Sequence, residues 1–229
     1  MKRKLFIGDL RGQLGMLKRL LDKIQPSEGD NTIFLGNYVG PSLDSKACVE
    51  YVLKLKEEFP DRFYFLRGCY DWLFCSYIGS DSKWPYLSMW NQMGGNLAIG
   101  SYVASNGGVK VLMPDGRVAR CSLPIPERHL RFLESLPLFY EDQDPPVVAS
   151  HTGFPPAFKD ACTEAAAFLG DGVGCSLDIQ VPGKLSIFGH NPQKEPFVTP
   201  DLIGIDLGAG IGGRLCCFDT VAREFHITK

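Results

Sequence analysis

Along its first third, the chain alternates short apolar segments with amphipathic ones. Three apolar segments predict buried strands at residues 5–10, 32–35 and 63–66. Apolar residues recur at helical spacing and predict a helix: Leu14, Leu17, Leu20, Leu21 and Ile24. A second helix is predicted to begin after Asp44 as N-cap and to end before Pro60. This strand–helix–strand order predicts parallel strands joined by right-handed crossovers.

The second half of the chain is rich in short apolar segments with few helical signals. Five further strands are predicted at residues 147–149, 185–188, 202–205, 215–218 and 224–228. The last three are short and separated by glycine-rich or polar turns, so we expect them to be antiparallel.

The region between these two halves, residues 72–140, has a different pattern. It contains aromatic residues typical of buried packing (Trp84, Tyr86 and Trp90), a predicted hairpin around 114–116 and a predicted helix that begins at Pro126. We interpret it as a cap region inserted into a single domain that spans residues 1–229.

The composition is that of an ordinary globular protein: 229 residues, 45% hydrophobic and 22% charged, with a net charge of -2. This balance provides no basic field for nucleic acid or an anionic membrane, and no apolar run reaches the roughly 20 residues of a bilayer span. The apolar N-terminal segment is interrupted by Asp9 and Arg11, which predicts a strand and not a signal peptide. The eight cysteines show no disulfide spacing, so we expect reduced thiols and a cytoplasmic location.

Five glycine- or histidine-bearing motifs follow predicted strands, at residues 8–12, 36–40, 67–71, 150–151 and 189–190. Their order resembles the calcineurin-like metallophosphoesterases, in the branch of the serine/threonine phosphoprotein phosphatases and symmetrical diadenosine tetraphosphate hydrolases. The resemblance covers nearly the whole chain. It implies an α/β fold, a four-layer α-β-β-α sandwich of two mixed sheets flanked by helices, with a small helical cap insertion.

The resemblance also implies which positions would bind a first metal ion and substrate phosphate. In the family, an Asp and a His bind the first metal; here Asp9 is retained and the His position is Arg11. The Asp that bridges two metals corresponds to Asn37, and the phosphate-binding Arg corresponds to Pro41. A second phosphate-binding motif of the family has no recognisable counterpart between residues 158 and 181.

The remaining motifs imply a second metal site and a proton donor. Cys69 stands where the family has a metal-binding Asn, and His151 and His190 match the later metal-binding histidines. Tyr70 stands where the family has the His that protonates the leaving group, and Asp71 matches the acid that orients it. A phenol has a reference pKa of about 10, which is poorly suited to this proton transfer.

The exchange at Arg11 changes the electrostatics of the first metal site. A guanidinium about 4 Å from a divalent ion would cost roughly 8 kcal/mol at an effective dielectric of about 20. Arg11 is therefore predicted to replace the first metal through a two-pronged salt bridge to Asp9. The alternative is that Arg11 extends into solvent.

The second metal site is chemically less altered. Cys69, His151 and His190, with Asn37 or water as fourth ligand, would suit one tetrahedral Zn²⁺, or alternatively Mn²⁺ or Fe. The alternative is a pocket without metal, in which the thiol and imidazoles bond to their neighbours. We expect no cofactor, with a single ion at this site as the open possibility.

Together these exchanges predict a pseudophosphatase, catalytically inactive or severely impaired, that acts by binding a protein or a phosphorylated small ligand. Arg11 and Arg67 are the candidate ligand contacts, and the aromatic stretch 72–90 is a candidate partner surface. The alternative is a residual metal-dependent phosphoester hydrolase that uses a single metal. His129 and His226 are expected at the surface.

Overall fold

The computed structural model of the protein describes residues 2–79, 86–104, 123–153 and 181–229. The first part of the chain forms strands and helices in the order β1 (Lys4–Ile7), α1 (Leu14–Ile24), β2 (Asn31–Phe34), α2 (Ser45–Glu58), β3 (Phe63–Phe65), α3 (Cys69–Gly79), α4 (Leu87–Gln92), α5 (Gly95–Ala104) and α6 (Glu127–Glu134). The later part forms β4 (Phe139–Gln143), β5 (Pro146–Ser150), β6 (Leu185–Phe188), β7 (Phe197–Val198), β8 (Leu202–Gly204), a 3₁₀ turn (Ala209–Ile211), β9 (Leu215–Asp219) and β10 (Glu224–Thr228).

The strands form two mixed sheets. The first has the order β10-β9-β1-β2-β3, in which β1, β2 and β3 are parallel and β9 and β10 are antiparallel to their neighbours. The second has the order β4-β5-β6-β8-β7, with β4 and β7 antiparallel at its edges. The predicted fold, two mixed sheets flanked by helices, is confirmed.

One predicted strand direction is wrong. The strand at Leu202 was expected to be antiparallel, but β8 pairs with β6 in parallel, with Ile187 opposite Ile203. The short strand β7 was not predicted, and it forms the antiparallel partner of β8 instead. Strand β8 therefore lies between β6, to which it is parallel, and the edge strand β7, to which it is antiparallel.

Two apolar clusters hold the layers together. Residues such as Phe6, Ile33, Ile187 and Ile203 face each other between the two sheets. On the other face of the first sheet, the buried sides of α1, α2, α3, α5 and α6 form a larger cluster. Helix α1 shows how the pattern leads to this packing, because Leu17, Leu20 and Ile24 are its buried residues.

The predicted cap region, 72–140, includes most of α3 and all of α4, α5 and α6. Buried residues of these helices, such as Phe74, Trp90 and Phe132, belong to the same cluster as those of α1 and α2. Trp84 and the predicted hairpin at 114–116 lie outside the described residues. The division into one domain with a cap stays a prediction. Among the helices described, none is long and apolar enough to cross a membrane.

Two local expectations differ from the structure. Asp44 occupies the N-cap position of α2 but makes no side-chain capping hydrogen bond. His129 is not a surface residue: it is fully buried, with Nε2 2.7 Å from Glu50 Oε2 and Nδ1 3.1 Å from the Tyr102 hydroxyl. Its position on the buried face of α6, with Phe132 and Leu133, explains the difference, because residues three and four apart share a helix face.

Candidate metal centre

The candidate site lies where several parallel strands end. The residues that follow β1, β2, β3, β5, β6 and β8 meet there and supply Asp9, Arg11, Asn37, Cys69, Tyr70, His151, His190 and Asp206. The carboxyl ends of parallel strands share one edge of a sheet, which is why loops distant in sequence converge. The site therefore joins the first sheet to the second.

Arg11 lies inside this site. Its side chain is only 9% exposed, and Nη2 lies 3.4 Å from Asp9 Oδ2 and 3.3 Å from Asp206 Oδ2. A single nitrogen makes both contacts, so the predicted two-pronged pair with Asp9 does not form. Asp206, which follows β8, is a partner that the sequence analysis did not identify.

Two glycines that lie close to Arg11 in space, Gly40 and Gly210, leave room for it because they have no side chain. A Cβ on Gly210 would lie 2.5 Å from the Cβ of Arg11, and a Cβ on Gly40 would lie 2.6 Å from the Arg11 backbone. Arg11 itself has a φ of 46°, in the left-handed region that non-glycine residues seldom adopt. Local backbone strain at this position is consistent with a functional constraint on the loop.

The oxygens of Asp9 are occupied by protein donors. Oδ2 accepts a hydrogen bond from Asn37 Nδ2 at 2.7 Å, in addition to the contact with Arg11. Oδ1 accepts one from the backbone N–H of His190 at 3.0 Å. Burial alone would raise the pKa of Asp9, but its neighbours His151 and Arg11 hold that pKa below its ordinary value. Both oxygens of the Asp9 carboxylate thus accept hydrogen bonds from protein donors.

Asn37 points its amide nitrogen at Asp9, and its amide oxygen accepts a hydrogen bond from the Tyr70 backbone N–H at 2.8 Å. A carboxylate in this position could not donate to Asp9. The exchange at the bridging position therefore converts a repulsive pair of acids into a hydrogen bond. The role of Asn37 as a fourth metal ligand stays a prediction.

Cys69, His151 and His190 form a compact group of possible metal ligands. Cys69 Sγ lies 3.4 Å from His151 Nε2 and 3.5 Å from His190 Nδ1, and the two ring nitrogens are 3.3 Å apart. His151 Nδ1 lies 2.8 Å from the Leu35 carbonyl oxygen, which assigns the proton to Nδ1 and leaves a lone pair on Nε2.

These separations fit a tetrahedral ion. Zinc–nitrogen and zinc–sulfur bond lengths imply ligand atoms about 3.3–3.6 Å apart, which is the range observed here. Burial raises the pKa of the Cys69 thiol to about 12 and lowers the pKa of His151 to about 4. Metal binding would therefore have to displace the thiol proton, whereas His151 is already in its ligating, neutral form.

Tyr70 fills the space beside Arg11. The guanidinium carbon lies 5.1 Å from the centre of the Tyr70 ring, and the hydroxyl donates to the Met93 carbonyl oxygen at 2.9 Å. Burial raises the pKa of this phenol above its ordinary value. Tyr70 therefore connects the start of α3 to the turn between α4 and α5. Its hydroxyl proton makes the hydrogen bond to Met93.

Asp71 was predicted to orient Tyr70, but the structure gives it another set of partners. Its Oδ2 accepts from the backbone N–H groups of Asn37 at 2.8 Å and Gly68 at 2.9 Å, and its Oδ1 accepts from Val39 at 3.2 Å. Burial raises the pKa of Asp71 to about 7, although these donors favour the ionised form. Asp71 thus fastens the loop after β2 to the start of α3.

Other sequence candidates lie away from the centre or outside the described residues. Arg67 is buried and hydrogen-bonds with Cys75 on α3, so its role as a ligand contact stays a prediction. Within the described parts of the stretch 72–90, Trp90 is fully buried and Trp72 packs edge-on against Tyr86, so the role of this stretch as a partner surface stays a prediction. Residues 158–180, where the second phosphate-binding motif was sought, are not described.

Comparison with known proteins identifies the family of the chain. The family model for calcineurin-like phosphoesterases matches residues 2–194. The chain belongs to the calcineurin-like phosphoesterase family. The Saccharomyces cerevisiae serine/threonine-protein phosphatase PP2A-like PPG1 is 29% identical over 97 residues. That match covers 42% of this chain but only 25% of the yeast phosphatase.

Solved structures of the phosphoesterase family have the same fold. A protein assigned as a diadenosine tetraphosphatase superposes with a TM-score of 0.68 at 17% identity, covering 99% of this chain and 93% of that one. A metallophosphoesterase from Sphaerobacter thermophilus gives 0.54 at 19% identity, covering 99% and 88%. A Saccharomyces cerevisiae serine/threonine phosphatase with similarity to human phosphatase PP5 gives 0.55 at 12% identity, covering 99% and 78%. At these identities the likeness concerns the fold alone.

Proposed function

We propose that this phosphoesterase-family protein does not hydrolyse phosphoesters by the two-metal route and acts by binding a protein or a phosphorylated ligand. One observation carries the proposal: the Arg11 guanidinium lies between the carboxylates of Asp9 and Asp206, at 3.4 Å and 3.3 Å. Its fixed positive charge occupies the surroundings in which a first metal ion would need carboxylate ligands.

The surroundings of Arg11 support this proposal. Two divalent ions close together require bridging anions to screen their repulsion. Asn37 supplies no charge, and its amide nitrogen is directed at Asp9. A divalent ion about 4 Å from the guanidinium would meet roughly 8 kcal/mol of repulsion at an effective dielectric of about 20. Arg11 and a first metal ion are therefore mutually exclusive.

The groups that would handle substrate are also altered. Tyr70 uses its hydroxyl to bond Met93 and is 3% exposed, so it is not available to protonate a leaving group. Pro41, in place of a phosphate-binding Arg, packs against Gly94, where an added Cβ would lie 2.7 Å away. Among the described residues, the centre thus has no free acid at position 70 and no arginine at position 41 to contact a transferring phosphoryl group.

We further propose that Cys69, His151 and His190 hold a single zinc ion. Cys69 is 4% exposed and His151 is 1% exposed, which favours a structural role over a catalytic one with an open position. When bound, zinc would stabilise the thiolate and supply Lewis acidity. The three side chains follow β3, β5 and β6, so together they would fasten the first sheet to the second.

Phosphoester turnover tests the proposed loss of hydrolysis. Purified protein with excess Mn²⁺ is expected to release no product from para-nitrophenyl phosphate or diadenosine tetraphosphate above the level of a matched Asp9→Asn variant. Residual activity that is equal in both and persists in Cys69→Ala would come from a contaminant. Turnover that disappears in Cys69→Ala would contradict the proposal and support the residual single-metal hydrolase instead.

Reversion tests the assignment of the two metal sites. A variant that restores the family's residues at four positions is expected to bind two metal ions, with the changes Arg11→His, Asn37→Asp, Cys69→Asn and Tyr70→His. If this variant folds and binds no additional metal, the assignment of these positions to the two metal sites is wrong.

A further inference from the structure

His190 contacts both halves of the candidate centre. Its ring nitrogen Nδ1 lies 3.5 Å from Cys69 Sγ and 3.3 Å from His151 Nε2, among the proposed zinc ligands. Its backbone N–H donates to Asp9 Oδ1 at 3.0 Å, and its carbonyl oxygen lies 3.5 Å from Arg11 Nη2. The side chain of one residue therefore belongs to the zinc site, while its backbone is bonded to the Asp9–Arg11 ion pair.

The backbone conformation of His190 has to be held by its neighbours. Its φ is 66°, in the left-handed region that residues with a Cβ seldom adopt. A strained conformation of this kind persists only where the surrounding structure fixes it. The preceding N–H, of Gly189, donates to the His151 carbonyl oxygen at 3.0 Å, and the N–H of His190 itself donates to Asp9. The carboxylate is therefore one of the groups that hold this turn.

The Asp9 carboxylate lies directly against the turn that contains His190. A Cβ on Gly189 would lie 2.3 Å from Asp9 Oδ1, so this approach requires a glycine at position 189. The same oxygen is 3.7 Å from Nδ1 of His151. Asp9 is fully buried, and a hydrogen bond to an ionised acceptor is stronger than one between neutral groups. Asp9 is thus placed to orient the histidine ligands without binding the metal itself.

The two histidines of the site are supported in different ways. The ring of His151 is oriented by the Leu35 carbonyl oxygen, 2.8 Å from Nδ1. In the described part of the chain, the polar groups outside the ligand set that bond His190 reach its backbone and not its ring. Groups that orient metal-binding residues typically change metal affinity by about 10–100-fold when they are removed. For His190, this support comes mainly from Asp9.

We propose that Asp9 is a positioning residue for the zinc ligand His190. The proposal rests on the zinc centre proposed above and adds a connection between its two halves. The Asp9–Arg11 pair, which takes the place of the first metal ion, would then raise the affinity of the remaining site for zinc. The connection passes through the backbone of His190, because Asp9 bonds the N–H of the residue whose ring faces Cys69.

Zinc affinity, measured by competition with a chromophoric chelator at fixed pH, tests this inference. Asp9→Asn should weaken zinc binding about 10–100-fold. An amide at position 9 would turn its nitrogen either toward the N–H of His190 or toward the donors of Asn37 and Arg11, so one set of bonds is lost. Asp206→Asn is the matched control: it removes the same charge from the other carboxylate paired with Arg11 but leaves the bond from His190 to Asp9 in place. Its effect should be less than about threefold.

A second variant and a spectrum separate positioning from charge. Gly189→Ala keeps every charge but places a Cβ where Asp9 Oδ1 lies, so it should weaken zinc binding about tenfold. With Co²⁺ in place of zinc, the visible absorption bands report the geometry of the ligands. These bands should shift in Asp9→Asn and in Gly189→Ala and stay unchanged in Asp206→Asn. Circular dichroism checks that each variant is folded, and Gly189→Ala provides the test if Asp9→Asn does not fold.

Two results would overturn the inference while the zinc centre stands. One is an equal loss of zinc affinity in Asp9→Asn and Asp206→Asn, which would assign the effect to charge alone. The other is an unchanged affinity and an unchanged cobalt spectrum in Gly189→Ala. Absence of zinc binding in the unmodified protein would overturn the zinc centre and this inference together. None of these measurements concerns phosphoester turnover, so the proposed loss of hydrolysis is tested separately.

Discussion

Replacing Arg11 with methionine is expected to lower the free energy of unfolding by about 3–5 kcal/mol, the usual cost of removing one partner of a buried ion pair. The change leaves the carboxylates of Asp9 and Asp206 together in a buried site without their shared cation. The long unbranched side chain of methionine retains most of the packing. The loss in free energy of unfolding therefore reports mainly the removal of the positive charge. Chemical denaturation monitored by circular dichroism gives the value.

A surface control and a rescue make this prediction specific. Arg131→Met removes an arginine that is 70% exposed and paired within its own helix, so it should cost less than about 1 kcal/mol. Addition of Mn²⁺ should recover part of the stability that Arg11→Met loses. It should not stabilise the unmodified protein through this site. A cost below about 1 kcal/mol for Arg11→Met would show that Arg11 extends into solvent.

Replacing Asp71 with alanine is expected to cost about 3–4 kcal/mol, because buried backbone N–H groups left without a partner each cost about 1–3 kcal/mol. Asp71 accepts from the N–H groups of Asn37, Gly68 and Val39. Their loss would loosen the loop after β2 and the start of α3 at once. The loss should appear as a lower urea concentration at the midpoint of unfolding.

The control for this change is Asp44→Ala. Asp44 is an exposed aspartate at a helix N-terminus, but it makes no capping hydrogen bond, so its removal should cost less than about 0.5 kcal/mol. Equal losses for Asp44→Ala and Asp71→Ala would contradict the role assigned to Asp71. Asp71→Asn should also be destabilising, because its amide nitrogen would face an N–H donor.

The elements that the sequence predicted well have a clear period. Helix α1 buries Leu17, Leu20 and Ile24, and its spacing alone predicts it. Helix α3 was not predicted because apolar and aromatic residues surround it, so no face stands out; Leu73, Phe74 and Tyr77 are all buried. A helix without a polar face cannot be distinguished by periodicity from other buried structure.

In the candidate site, the sequence predicted local features but not the contacts between residues that are distant in sequence. The motifs around Asp9 and Asn37 indicated which residues follow the strands, because glycine-bearing turns are local features. They could not indicate that Asp206, distant in sequence, shares Arg11 with Asp9. The direction of β8 was likewise missed, because whether it pairs in parallel depends on β6 and not on its own residues.

Counting bound metal tests the central claim, that Arg11 takes the place of the first ion. After equilibrium dialysis against Zn²⁺ and Mn²⁺, mass spectrometry of the purified protein is expected to find no more than one ion per chain. That ion should be zinc and should be lost in Cys69→Ser, a change that replaces the thiolate ligand. Two ions per chain, with one lost in Asp9→Asn, would contradict the claim.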